Sequence, residues 1–294
     1  MALIQIVNDL HGTATAAKHA AKHAEHNNAS HIVLNGDIFE PGQTPLDTYD
    51  TAIKTLTPFA ETNLPTYIQP GSIEDTKTFN AVIEHFQTKH PNIHSTLQHH
   101  TLKLKNHAIQ FLPGNTNRSK HGNHTLNTTI QTGHYQGPTK QFYNTNPRQQ
   151  LQTIQHPQKT TVIAHQPRKF RGKHAVDHTS FTQTTNNTLQ ATQDTQTPLR
   201  RRPKHLTINT ETNDRTSKHR NVGNPELAKI YQETGITKAI SGTIHEAKQN
   251  HDAELNPLPP KTPHKELYWN PGHGASKQFG YYKPNTNRAT FYNA

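Results

Sequence analysis

Apolar runs in this chain end, five times over, in a side chain that can ligate a cation or carry a proton. Asp9 and His11 follow the run at 2–7, Asp37 follows 31–35, Ser72 follows 65–69, His165 closes 160–165 and His245 follows 237–241. Two residues apart in an extended or turning backbone, the Asp9 carboxylate and the His11 imidazole can reach one ion. A hard oxygen donor beside a borderline nitrogen donor suits Mn, Fe or Zn. A lone D-x-H triplet is common by chance. An ordered set of five such strand ends is far more specific, and the chemistry it points to depends on a metal.

Strands and helices must alternate if these ends are to meet. The run at 2–7 is short and rich in branched residues, which reads as a buried strand, and open α/β sheets collect their ligands just past such ends. Ala16, Ala17, Ala20, Ala21 and Ala24 recur at helical spacing over 13–27, a thin helix able to lie close on a sheet. At 31–35 a second strand ends in Gly36, which lets the backbone turn and aims Asp37 back at the first loop. The pattern then predicts a helix over 44–63, a strand over 65–69 and an amphipathic helix carrying Phe79, Val82, Ile83 and Phe86. That order implies a parallel sheet with right-handed crossovers.

Farther along, two adjoining strands are predicted between 95 and 112, and another over 160–165. A helix over 224–235 has Asn224 as cap, Pro225 in its first turn and Gly235 as stop. Strands follow at 237–241, 266–270, 279–283 and 289–292. Residues 116–159 read as a long polar insertion with a little structure around Phe142 and Leu151. Residues 182–221 are low in apolar side chains and hold a basic cluster at 199–205, which reads as a solvated loop rather than a phosphate-binding patch.

Composition bounds the partners. Leu, Ile, Val and Phe make up 53 of the 294 residues, about 18%, close to the level at which disorder becomes the default, but these residues are clustered and the net charge of +11 is small for the length. The basic balance comes from scarce acids, 20 Asp and Glu against 31 Lys and Arg, and so argues only weakly for a polyanion-binding face. With no cysteine there is no disulfide frame, no thiolate zinc site and no Cys nucleophile. No run approaches the roughly 18 apolar residues of a membrane span, so a cytoplasmic chain without membrane contact is expected.

The ordered set resembles the calcineurin-like metallophosphoesterase family, whose pattern runs D-x-H, G-D, G-N-H-D/E, a His closing a strand, and G-H-x-H. The matching stretches are Asp9-Leu10-His11, Gly36-Asp37, Gly71-Ser72-Ile73-Glu74, His165 and Gly242-Thr243-Ile244-His245. The stretches Phe111-Leu-Pro-Gly114, His165-Gln-Pro-Arg-Lys-Phe170 and Trp269-Asn-Pro-Gly-His273 are similar to an archaeal or viral branch of it. The resemblance covers most of the chain. It implies an α/β fold, a four-layer α-β-β-α sandwich of two mixed β-sheets flanked by helices, in one domain over 1–294 with polar insertions near 116–159 and 182–221.

The resemblance also implies one or two divalent ions, Mn foremost, with Fe or Zn as alternatives. Asp9, His11 and His245 would hold the first, Asp37 would bridge, and His165 with Ser72 would hold the second. A hydroxide acidified by the ions would attack phosphorus in line, on a phosphomonoester, a phosphodiester or a nucleotide. Two departures weaken the second ion: Ser72 replaces an Asn and Thr243 replaces a His. The family's catalytic His falls on Ile73, which can transfer no proton. His273 is the candidate to replace it beside Asp37 and His165, Glu74 matches the acidic position that orients a ligand His, and Asn115 reads as a turn residue. A weakly active or inactive relative that binds metal and a phosphorylated ligand, or a nuclease using Arg200, Arg201 and Arg202, are the alternatives.

Overall fold

The computed structural model describes residues 2–40, 44–74, 76–114, 130–132, 143–145, 147–171, 175–183, 189–191, 216–221, 223–245 and 248–293. Two six-stranded mixed sheets dominate. The first runs, edge to edge, Arg288–Asn293, Gln278–Lys283, Ile4–Val7, His31–Asn35, Thr66–Gln69 and Ile93–Ser95, its last four strands parallel. The second runs Gln249–His251, Leu267–Asn270, Lys238–Ile240, Thr160–Ala164, His107–Leu112 and Thr101–Leu104, with its four inner strands parallel and both edges antiparallel.

Strand periodicity sorts side chains into three cores. Ile4, Ile6 and Val33 of the first sheet meet Ile109, Phe111, Ile163, Ile240, Leu267 and Trp269 of the second, so the sheets pack face to face. Their neighbours Val7, Ile32 and Leu34 turn the other way, onto helices Ala14–His26, Pro45–Ala60 and Thr76–Gln87. Val162 and Ala164 likewise turn outward onto Leu227, Ile230 and Tyr231 of helix Pro225–Thr234. The four layers expected from the resemblance are therefore present. Because both faces of each sheet are covered at its centre, central strands such as Ile4–Val7 and Thr160–Ala164 are buried at every position, whereas the edge strand Thr101–Leu104 alternates.

Local chemistry sets the helix ends. Thr44 accepts a hydrogen bond from the Asp47 amide at 3.1 Å while Asp47 accepts one from the Thr44 amide at 3.0 Å, a reciprocal cap that starts Pro45–Ala60. Asn224 accepts from the amides of Glu226 and Leu227, and Gly235 closes that helix at φ +72°.

The structure differs from the sequence reading in three places. Ile93–Ser95 is an extra strand that joins the first sheet, and Gln249–His251 is an unforeseen edge of the second. A strand not foreseen, His178–Gln183, enters the polar stretch 182–221 and pairs antiparallel with Leu189–Ala191 and Thr216–Asn221 inside it. Leu151 is buried in a short helix, Pro147–Gln152. Asn115, Phe142 and the basic cluster with Arg200, Arg201 and Arg202 lie outside the described residues.

Candidate metal centre

The carboxyl ends of Ile4–Val7, His31–Asn35, Thr66–Gln69, Thr160–Ala164, Lys238–Ile240 and Leu267–Asn270 converge at one edge of the sandwich. A chain of buried amides stitches them together: Gln69 donates to Asn35 Oδ1 at 2.6 Å, Asn35 to Asn8 Oδ1 at 3.0 Å, and Asn8 to Asn270 Oδ1 at 3.2 Å and the Ser241 carbonyl at 2.9 Å. These side chains sit where apolar strands end, and burial requires the pairing they make, although Gln69 Oε1 itself has no hydrogen-bond partner. The loops above them are strained. Asp9, His11, Asp37 and Thr243 all adopt left-handed backbone, at φ +50°, +45°, +49° and +66°. Such geometry is uncommon outside glycine and unusual for a β-branched residue, and it concentrates at functional sites. At Gly36, φ +81°, a Cβ would also run into the His165 ring.

Two groups of donors result. Asp9, Asp37 and His165 form a buried group and His11, His245 and His273 a half-buried one, the ligand atoms of each lying within 4.8 Å of one another. The groups adjoin, for His245 Nε2 is 4.0 Å from Asp9 Oδ1 and 3.2 Å from His11 Nε2. His165 Nε2 lies at ion-pair distance, 3.2 Å, from Asp37 Oδ2, while its Nδ1 is tied to the Asn35 carbonyl at 2.9 Å. Asp37 accepts from the Ser72 amide and hydroxyl and from the Ile73 amide; Asp9 accepts from the Thr243 amide at 3.2 Å.

Electrostatics follow from that crowding. Burial pushes Asp9 up to about 7. Burial also opposes ionisation of Asp37, but His165, with His11 and the Ser72 hydroxyl, overcomes it and holds this carboxyl well below the usual range. Against their own burial, Asp37 and Asp9 lift His165 to about 10, and Glu40, Asp37 and Asp9 lift His11 to about 9. Burial and the neighbouring imidazoles push His245 down to about 4 and His273 to about 3. Among the described residues neither Asp9 nor Asp37 has a Lys or Arg ion partner, so two histidine protons supply the positive charge that a buried carboxylate pair demands. Carboxylate oxygens, imidazole nitrogens and enclosure fit a divalent ion, which would take the place of the proton that His165 Nε2 holds against Asp37.

Every residue singled out in the sequence as a ligand is here, and so is His273, whose ring stacks on His245 at 3.9 Å and 8°. Glu74 does a different task from the one expected. It accepts the amides of Ile38, Phe39 and Gly71 and so braces the Asp37 loop instead of a ligand His. The Thr243 hydroxyl is spent on the His165 carbonyl at 2.9 Å. Sequence reading missed Glu40, 2.8 Å from His11 Nδ1, because nothing local distinguishes it from a surface acid.

The family model described as calcineurin-like phosphoesterase matches residues 3–186. No curated protein matches the sequence. Among solved structures, the crystal structure of TT1561 of Thermus thermophilus superposes with a TM-score of 0.57 at 12% identity, covering 99% of this chain and 98% of that one. A second crystal structure gives a TM-score of 0.59 at 12% identity with the same coverage. At such identity these two likenesses speak for the fold.

Proposed function

The chain belongs to the calcineurin-like phosphoesterase family, and from that premise we propose that it hydrolyses a phosphomonoester, phosphodiester or nucleotide at the six-loop edge, with turnover limited by its altered motifs. The family is one of metal-dependent phosphoesterases, and the observation that carries the reading here is the pair of adjoining donor groups, Asp9–Asp37–His165 and His11–His245–His273.

In this reading Asp9, Asp37 and His165 would hold one ion, and His11 and His245 would hold a second beside it. When bound, the ions would acidify water and neutralise phosphate oxygens. The protein's own part is positioning. Ser72 and the Ile73 amide fix the Asp37 carboxylate, the Asn35 carbonyl orients His165, and Thr243 ties its loop to Asp9 and His165. At position 73 an aliphatic side chain offers the leaving group no proton, which favours weakly basic leaving groups such as aryl or nucleotidyl oxygens. Manganese is the ion that suits the oxygen-rich inner group. One domain over 1–294 with polar insertions belongs to the same proposal, and no described helix is long and apolar enough to cross a membrane.

The test is elemental analysis of the purified chain with hydrolysis of p-nitrophenyl and bis-p-nitrophenyl phosphate in added Mn, for wild type and Asp37→Asn. Turnover in the wild type that drops by at least ~10²-fold in the variant supports the reading. Equal activity in both condemns the assigned site. Metal uptake with no turnover in either supports a second reading, favoured by Ile73 and Thr243, of a metal-bearing protein that binds a phosphorylated ligand.

A further inference from the structure

We infer that His273 is a metal ligand, completing with His11 and His245 a three-imidazole site for an outer, zinc-preferring ion beside the oxygen-rich inner site of Asp9, Asp37 and His165. This rests on the phosphoesterase reading for the presence of metal, but the residue and the donor set come from the geometry of this chain.

Three observations carry it. Each donor offers a ring nitrogen, and the three nitrogens lie within 4.8 Å of one another. Two of the rings are held from behind: His11 Nδ1 is tied to Glu40 at 2.8 Å and His273 Nδ1 to Ser276 Oγ at 3.0 Å. That leaves the Nε2 atom of each as the ligand position, with His11 Nε2 already 3.2 Å from His245 Nε2, and outer partners of this kind orient metal-bound imidazoles. His273 Nε2 is buried and has no hydrogen-bond partner, an expensive state for a polar atom that a cation would relieve. The loop bearing His273 is also clamped to the first strand's end, for the Gly274 amide donates to the Asn8 carbonyl at 2.8 Å and the Ala275 amide to the Asp9 carbonyl at 3.1 Å. A Cβ at Gly274 would run into that Asn8 carbonyl, so the close approach needs glycine.

The donor set decides the ion. Three neutral imidazoles with a fourth position open form a zinc arrangement, whereas two carboxylates and one imidazole suit a harder ion such as manganese. Thr243, which has lost the imidazole of the family pattern and turns its hydroxyl to a carbonyl, leaves the inner site poor in nitrogen, while His273 enriches the outer one. The centre is therefore asymmetric.

Equilibrium dialysis of the metal-free full chain against Co2+, read together with the visible d–d spectrum, tests this in wild type, His273→Ala and Ser276→Ala. The wild type should take up two equivalents, one with the intense bands of low-coordinate, nitrogen-rich cobalt. In His273→Ala those bands should fade and one equivalent should weaken by at least ~10-fold, with the other unchanged. Ser276→Ala keeps the imidazole and should weaken the same equivalent by ~10-fold, which guards against a folding defect in the first variant. A proton donor at 273 would leave both affinities and the spectrum as in wild type, and that result overturns the inference while leaving the phosphoesterase reading intact. A wild-type chain that takes up no cobalt, zinc or manganese overturns both.

Discussion

Ile73 is the single side chain on which turnover should depend most sharply. Its amide already donates to Asp37 at 3.2 Å, so the backbone of the motif is in place and only the proton-carrying side chain is missing. Ile73→His should therefore raise hydrolysis of an alkyl phosphate, whose leaving group needs a proton, by ~10² or more, and raise aryl phosphate hydrolysis far less. Equal gains on both substrates, or none, would show that the side chain at 73 does not face the leaving group. The candidate ligands themselves were readable from the sequence because each closes an apolar run and because Asp9, His11, Asp37, Ser72, His165 and His245 stand in one order. Glu40 and Ser276 were not readable. Their importance arises only from a distance of 2.8 or 3.0 Å across the fold, and no local spacing announces it.

At the scale of the elements, what positions the site is the buried amide chain Gln69–Asn35–Asn8–Asn270. Asn35 is its hinge, accepting from Gln69 and donating to Asn8 and the Ala164 carbonyl. Asn35→Leu keeps the branched shape and removes every one of these bonds, leaving at least two buried polar groups, Gln69 Nε2 and Asn8 Oδ1, unpaired. Denaturant titration should show a loss of about 2–4 kcal/mol. Lys54→Ala, on the exposed face of helix Pro45–Ala60, should change stability by no more than about 0.5 kcal/mol. Helices and central strands were legible because their apolar periods are long and their caps conform to side-chain chemistry. Ile93–Ser95 and Gln249–His251 were not, since three residues carry no period. In His178–Gln183, sequence HTSFTQ, Phe181 is the lone large apolar residue, and its pairing is set by backbone partners distant in the chain.

A different titration belongs to the second sheet. His107, at the start of its strand, bonds Thr161 Oγ1 at 2.8 Å and is pushed by burial and by Lys238 down to about 4. A folded value below the usual one means that the neutral form is favoured in the fold. Its contribution is whole above pH 6.5 and is lost as pH falls toward and through 4. His107→Gln should therefore flatten the acid limb of a melting-temperature profile between pH 6.5 and 4; an unchanged limb would place the acid sensitivity elsewhere.

For the molecule as a whole, the metal centre should dictate the alkaline limb. Without metal, His11 at about 9 and His165 at about 10 lie above their ordinary value, so the stability they supply is complete below pH 6.5 and drains away as pH rises through 9 and 10. Asp9, raised to about 7, acts in the same sense, since its carboxyl prefers to keep a proton in the fold and that preference is lost through pH 7. The metal-free chain should thus melt at progressively lower temperature from pH 7 to 10. A divalent ion replaces those protons with fixed charge and must displace them to bind, so the apparent affinity should climb over the same interval. At an ion concentration 100 times the dissociation constant the fold should gain about 2.7 kcal/mol, and the alkaline slope should flatten. Melting curves from pH 6 to 10, with Mn or Zn and with a chelator, separate the two limbs. Parallel curves with and without metal would mean that these imidazoles and carboxylates do not share an ion, because an ion bound by them must displace the protons on His11 and His165.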